Sequence, residues 1–88
     1  MAAYSVILKS SAEKDLRAMP KSVVIRVVQH LELLKANPIP RQSVKLEGAE
    51  GLRRIRVGAY RIVYEVDAPA RHVVVHYIRH RRDVYRRL

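Results

Sequence analysis

Arginine is the residue type whose number and spacing in this sequence suggest chemistry. Residues 51–88 contain ten arginines and no lysine, and three of the arginines, Arg54, Arg56 and Arg61, flank one short turn. A guanidinium group is planar and donates pairs of hydrogen bonds to phosphate or carboxylate oxygens. Lysine would serve solubility equally well, so the exclusive use of arginine favours recognition of phosphate.

The net charge points to the same kind of partner. The 88 residues include 18 Lys and Arg against 8 Asp and Glu, a net charge of +10, whereas about 2–8 charges suffice to keep a small domain soluble. Residues 1–50 carry +3 and residues 51–88 carry +7. We therefore expect a polyanionic partner that contacts the second half of the chain. The alternative is that the charge serves solubility alone.

A two-residue turn, Gly58-Ala59, predicts how the arginines are arranged. Glycine at the first central position is typical of a type II′ β-hairpin, which fixes the pairing of the flanking strands. Arg56 would then face Arg61, with Arg54 on the same side. Because side chains alternate between the two faces of a strand, these arginines share one face, which we expect to be open. The opposite face, which helices should cover, carries Ile55, Val57, Tyr60, Ile62, Tyr64 and Val66.

Arginines that face each other across a hairpin repel, at a cost of a few tenths to about 1 kcal/mol. An anion bound between the guanidinium groups would explain why the sequence accepts this cost, so we predict an anion site on this face. The alternative is an ordinary surface on which Glu65 neutralises part of the charge, but one carboxylate cannot neutralise three arginines. A second basic group, residues 79–82, either reaches the same face or is a solvated end of the domain.

Two helices are predicted between a first strand and the arginine-rich half. The first strand is the β-rich run at residues 4–9. Residues 10–13, Ser-Ser-Ala-Glu, fit a capping box, so a first helix should run from about Ala12 to Ala18. Pro20 suits the first turn of a second helix, which should end near Ala36 because an Asn-Pro pair follows.

The second helix should bury one face against a sheet. Ile25 and Leu33 fall off that face and indicate a second packing surface. The predicted buried residues recur at intervals of three and four positions, and they are Val24, Val27, Val28, Leu31 and Leu34.

Runs rich in β-branched residues predict three further strands, at residues 52–57, 60–66 and 72–78, which would form an antiparallel meander. Another candidate strand lies at residues 44–46, and residues 81–88 are predicted to form a short terminal helix. The predicted fold class is α+β, with the order β-α-α-β-β-β. A two-helix hairpin would pack on a twisted antiparallel sheet of about four strands.

Composition excludes several kinds of site. The sequence has no cysteine, so disulfides, thiolate metal ligands and thiol nucleophiles are absent. His72, His76 and His80 recur every four residues on a predicted strand, so neighbours would lie about 13 Å apart, too far to share a metal ion. No apolar run approaches the roughly 18 residues of a membrane span, and no signal peptide is recognised. We expect one cytoplasmic domain, residues 1–88, without metal or cofactor.

Four stretches of the sequence carry a resemblance to a known family. Residues 11–16, SAEKDL, precede a Met-Pro pair, and residues 45–48 read KLEG. Residues 54–66, RIRVGAYRIVYEV, are the most specific stretch, and residues 78–85, IRHRRDVY, form the ending. Together they resemble the RelE/ParE superfamily of toxins from type II toxin–antitoxin systems, over essentially the whole chain.

The resemblance implies a function and roles for particular residues. It implies two helices on a twisted antiparallel sheet, and a RelE-like toxin that cleaves messenger RNA on the ribosome without a metal ion and so inhibits translation. The 2′-OH would attack the neighbouring phosphate and leave a 2′,3′-cyclic phosphate. Arg54 and Arg56 would match the family's basic residues on the second strand, and Arg61 its phosphate-binding arginine. Arg81 and Tyr85 would match its C-terminal arginine and tyrosine.

The chain also departs from the family's pattern, since the best-known members carry lysines where Arg54 and Arg56 stand. Neither guanidinium can act as an ordinary general base. His80 is of a type that titrates near neutrality, and two roles stay open for it: the general base, or a structural contact with the tail. The alternative function is that of ParE-like members, which inhibit DNA gyrase without enzymatic chemistry. A catalytically weak or inactive homologue is the third possibility.

Charge and resemblance together predict a protein partner. It would be an acidic antitoxin with a flexible segment that folds onto the toxin and covers or displaces its basic apparatus. We therefore expect a toxin–antitoxin hetero-oligomer, with ribosome-bound messenger RNA as the second partner.

Overall fold

The chain folds as two helices packed against one face of a β-sheet, which confirms the predicted α+β class. The computed structural model describes residues 3–80, so the terminal helix predicted at residues 81–88 lies outside the described residues. The elements, in chain order, are β1 (Ser5–Leu8), α1 (Ser10–Arg17), α2 (Lys21–Ala36), β2 (Val44–Lys45), β3 (Arg53–Val57), β4 (Tyr60–Asp67) and β5 (His72–His80).

The sheet of the described residues has five strands, in the order β1-β5-β4-β3-β2. The last three strands form the predicted antiparallel meander, and β2 adds an antiparallel edge strand. β1 differs from the prediction, because it pairs with β5 in parallel, with Ser5 opposite His72. The two helices carry the chain away from β1, and its partner strand arrives about 65 residues later. The sheet is therefore mixed, and β4 is its central strand.

The predicted capping box at the start of α1 is wrong. The helix begins at Ser10, and Lys9, at the N-cap position, makes no side-chain cap. Ser10, the serine that would have capped the helix, is thus its first residue. The next residue, Ser11, donates a hydrogen bond from its hydroxyl to the backbone carbonyl of His76 on β5.

Contacts from α1 continue along the free edge of β5. The pairing between β1 and β5 ends at Leu8 and Val75, so within residues 3–80 no strand pairs with the later residues of β5 on that side. The backbone N–H of Ile78 donates to the Asp15 carboxylate at 2.9 Å. Side chains of α1 therefore replace the missing strand, as the need to pair buried backbone groups demands.

The core lies between α2 and the sheet. Val27, Leu31 and Leu34 of α2 are buried as predicted, whereas Val28 is more exposed than the helical pattern indicated. From the sheet the cluster takes Ile55, Val57, Ile62, Tyr64, Val73, Val75 and Ile78. Ile25 and Leu33 lie exposed on α2. Neither helix in the described part of the chain is long and apolar enough to cross a bilayer.

Two adjacent leucines of α2 provide a test of this packing. Leu34 is fully buried and Leu33 is 65% exposed. We expect Leu34→Ala to lower the free energy of unfolding by about 2–5 kcal/mol, because it removes buried methyl groups and leaves a cavity. Leu33→Ala should stay within about 0.5 kcal/mol of the parent protein. Urea denaturation measures both, and equal losses would mean that α2 packs through a different face.

Candidate anion-binding face

The register of the β3–β4 hairpin agrees with the prediction. Arg56 pairs with Arg61, and Arg54 pairs with Val63. Gly58 has φ of 60°, the left-handed region that the first central residue of this turn requires. The three predicted arginines therefore share the face of the sheet opposite to the buried cluster. We call this the arginine face.

The third strand of the meander extends the arrangement. Arg79 of β5 pairs with Arg61, so Arg56, Arg61 and Arg79 stand side by side on three adjacent strands. We call these three residues the arginine row. Neighbouring strands lie about 4.8 Å apart, which brings three guanidinium-bearing side chains into one line across the sheet. The second basic group of the sequence thus reaches the arginine face through Arg79.

A β-bulge decides which residues of β5 join this face. Val63 pairs with Tyr77 and Tyr64 pairs with Val75, so His76 is an extra residue on β5. Strict alternation from Val75 would have pointed Tyr77 and Arg79 into the core. An extra residue reverses the phase of every later side chain. The bulge therefore sends Tyr77 and Arg79 to the arginine face and Ile78 to the core.

The same bulge separates His80 from the arginines. His80 pairs with Tyr60, and the two rings pack edge to face with centroids 5.2 Å apart. Tyr60 belongs to the helix side of the hairpin, because it pairs with the buried Val57. The structure therefore places His80 on the side of the sheet opposite to the arginine row and does not bring it together with Arg61.

The three arginines of the row differ in exposure. Arg56 is exposed, Arg79 is partly buried, and Arg61 keeps only 6% of its surface. Val63, two residues after Arg61 on the same face, is also buried. The expectation of an open face is thus wrong at Arg61, which lies on the central strand β4. The guanidinium of Arg61 therefore sits where water screens charge less than at the surface.

Arg79 is held on two sides. Its Nε donates to Asp15 Oδ2 at 3.1 Å, and its guanidinium carbon lies 5.0 Å from the centroid of the Tyr77 ring. Such a stack over an aromatic face is a cation–π contact. Sequence reasoning did not identify Asp15, since no local pattern links α1 to a residue 64 positions later.

Glu65 does not neutralise the arginines, as the alternative of an ordinary charged surface required. Its Oε1 lies 2.7 Å from Nε2 of His76, the bulge residue. Glu65 is four residues from Arg61 along β4, about 13 Å at the usual strand rise. The carboxylate thus lies at the end of this face away from the arginine row. The face is positive near Arg61 and negative near Glu65.

Two of the predicted site residues, Arg81 and Tyr85, lie outside the described residues. Arg54 is partly buried next to the row, in line with Val63 and Tyr77. In chemical terms, the arginine face offers several guanidinium donors within a short distance, and phosphate oxygens suit such donors.

Known proteins share this fold, and their sequences are similar over most of the chain. Residues 6–85 match the model of a family described as the ParE toxin of the type II toxin–antitoxin system parDE. Toxin RelG of Mycobacterium tuberculosis is 31% identical over 91 residues, which cover 96% of this chain and 98% of the relative. The archaeal RelE–RelB complex of Pyrococcus horikoshii contains a chain with a TM-score of 0.79 and 28% identity, covering 90% of this chain and 96% of its own. A chain of the RelBE2 toxin–antitoxin complex of Mycobacterium tuberculosis has a TM-score of 0.78 and 28% identity, and the match covers 89% of this chain and 98% of that one.

The turn that aligns the arginines can be tested at its glycine. We expect Gly58→Ala to lower the free energy of unfolding by about 1 kcal/mol or more, because alanine resists a positive φ. A Cβ at this position would also lie 3.1 Å from the guanidinium of Arg26. Gly48→Ala is the matched control, since Gly48 has φ of 76° and open space around it. Urea denaturation should show the larger loss at Gly58. A stabilising Gly58→Ala would contradict the turn.

Proposed function

The chain belongs to the ParE toxin family of type II toxin–antitoxin systems, and from this membership and the arginine row we propose that it is an endoribonuclease that cleaves messenger RNA on the ribosome. The observation that carries the proposal is the alignment of Arg56, Arg61 and Arg79 on three adjacent strands. A fold selected for stability alone would avoid three like charges in a line. A phosphodiester bound at the row would relieve that repulsion.

The chemistry is a transesterification within the RNA. The ribose 2′-oxygen bonds to the adjacent phosphorus as the bond to the 5′-oxygen breaks, which leaves a 2′,3′-cyclic phosphate and a free 5′-OH. Negative charge grows on the phosphate oxygens in the transition state. Arg61, fixed in a partly dehydrated position, stabilises that charge best, and Arg56 and Arg79 assist from either side.

The remaining roles come from the resemblance. Arg54 adds charge next to the row, Arg81 faces the leaving oxygen, and Tyr85 stacks on a base or orients the ribose. No cofactor or metal ion is part of the proposed reaction. The protein would act in the cytoplasm, where its substrate is translated.

The arginine row contains no group that can act as a general base. Arginine does not take up the proton from the 2′-OH, and His80 lies on the other side of the sheet from the row. Positioned acid–base catalysis is worth about 10²–10⁴ in rate. We therefore expect a slow enzyme that works mainly by stabilising the charged transition state.

The lack of a general base in the arginine row also favours a second function. A ParE-like toxin that inhibits DNA gyrase by binding needs no general base, and the family description that matches this chain is that of ParE. Adding the purified protein separately to translating ribosomes and to a gyrase supercoiling reaction distinguishes the two functions. Inhibition of supercoiling without transcript cleavage would replace the first proposal with the second. Growth without arrest on overexpression would indicate an inactive homologue.

Mapping transcript ends after induction tests the ribonuclease directly. We expect Arg61→Gln to lower cleavage on the order of 10²-fold, because it removes a charged donor from the developing phosphate charge. Arg71→Gln makes the same change in charge at an exposed position before β5, and it should cut like the parent. His80→Ala should also cut at nearly the parental rate. Equal cleavage by Arg61→Gln and Arg71→Gln, with both folded by circular dichroism, would exclude the arginine row as the active site.

The proposed protein partner is an acidic antitoxin. Similar toxins have been solved in complexes with RelB antitoxins, and a net charge of +10 suits a partner of opposite sign. Exposed Ile25 and Leu33 on α2 offer apolar area for the same partner on the helix side of the sheet, opposite to the arginine face.

Co-expression with a candidate antitoxin, an acidic protein encoded by a neighbouring gene, tests the pairing. The two proteins should co-purify in low salt and the arrest of growth should be relieved. Replacing Ile25 and Leu33 together by serine should weaken the complex while leaving the fold intact, because both side chains are exposed. If the two proteins did not co-purify even in low salt, an acidic antitoxin would be excluded as the partner.

A further inference from the structure

Asp15 is the acidic residue that joins α1 to the arginine row. Its side chain is 19% exposed, and the partner side chain of Arg79 is 20% exposed. Oδ2 of Asp15 accepts two hydrogen bonds, from the backbone N–H of Ile78 at 2.9 Å and from Nε of Arg79 at 3.1 Å. Glu13, on the same helix, pairs at 3.8 Å with the largely exposed Arg17 instead.

The backbone contact alone does not explain a carboxylate at this position. The N–H of Ile78 needs an acceptor because β1 has ended, but a neutral asparagine or serine oxygen would satisfy it. A negative charge next to a proposed RNA site also weakens the attraction for phosphate. The carboxylate is explained by its second contact, since a charged acceptor holds a guanidinium much more firmly than a neutral one.

That second contact fixes the direction of a side chain that would otherwise turn away. Arg61 and Arg79 are neighbours of like charge across β4 and β5, and repulsion would drive the partly exposed Arg79 toward solvent. Asp15 binds it at Nε, and the Tyr77 ring lies against its guanidinium. Nε is one of five N–H donors of arginine, so donors remain for a phosphate oxygen.

We propose that Asp15 is a positioning residue for RNA cleavage, which holds Arg79 in the arginine row so that its guanidinium is in place before the phosphate arrives. The inference rests on the proposed ribonuclease function. A variant without the Asp15 charge should bind RNA as tightly as the parent protein or more tightly, because its net charge is more positive by one. Its chemical step should be slower, because Arg79 is no longer oriented.

The test is Asp15→Asn, with steady-state cleavage measured over a range of concentrations of ribosome-bound messenger RNA. We expect kcat to fall on the order of tenfold or more, as loss of orientation of a catalytic group does, with KM unchanged or lower. Glu13→Gln is the matched control, because it makes the same change in charge on the same helix without a contact to β5. It should keep the parental kcat.

Combining the changes shows whether Asp15 acts through Arg79. Arg79→Ala alone should lower kcat, and adding Asp15→Asn to it should lower kcat by less than about twofold further, because residues that act as one unit are not additive. Full additivity of the two losses would overturn the proposal. So would a parental kcat in Asp15→Asn.

Loss of folding is separated from loss of positioning. Asparagine keeps an oxygen for the N–H of Ile78, so Asp15→Asn should melt above the assay temperature. If it does not, Asp15→Glu keeps the charge but lengthens the side chain by one methylene, and it should lower kcat at unchanged KM. A parental kcat in Asp15→Glu would then overturn the proposal. If the parent protein itself leaves RNA intact, the ribonuclease proposal falls together with this one.

Discussion

The fixed register of one β-hairpin is the constraint from which the arginine face follows. A two-residue turn allows one pairing of β3 with β4, and that pairing places Arg56 directly opposite Arg61. A register shifted by one residue would carry Arg61 into the helix-covered layer and Ile62 out of it. The hydrophobic face and the basic face therefore stabilise the same alignment, because only this register buries the apolar residues of both strands.

The three neighbouring arginines of the row lie in different surroundings. Arg56 is at the exposed side, where water screens its charge. Arg61 lies buried on the central strand. Arg79 is held at the far side by the carboxylate of Asp15 and the ring of Tyr77. Burial limits the movement of Arg61 and two contacts limit that of Arg79, and charges held in place are what transition-state stabilisation requires.

Local signals in the sequence predicted the parts of this site that depend on neighbouring residues. The Gly58 turn, the alternation in β3 and β4, and the faces of Arg54, Arg56 and Arg61 all follow from contiguous residues. The parallel pairing of β1 with β5 and the contact of Asp15 with Arg79 join positions more than 60 residues apart, which no local pattern specifies. The bulge is visible in the sequence only as a spacing of three, instead of two, between the buried residues Val75 and Ile78. A prediction based on strict alternation misses it.

The bulge and α1 depend on each other. Ser11 donates to the carbonyl of His76, the extra residue of the bulge, and Asp15 accepts from the N–H of Ile78 just beyond it. β-bulges by themselves leave backbone groups without strand partners. Here α1 supplies hydrogen-bond partners for β5 at the bulge residue and just after it. Since the change in phase at the bulge is what turns Arg79 toward Arg61, the first helix contributes to the arginine face although none of its own side chains belongs to the row.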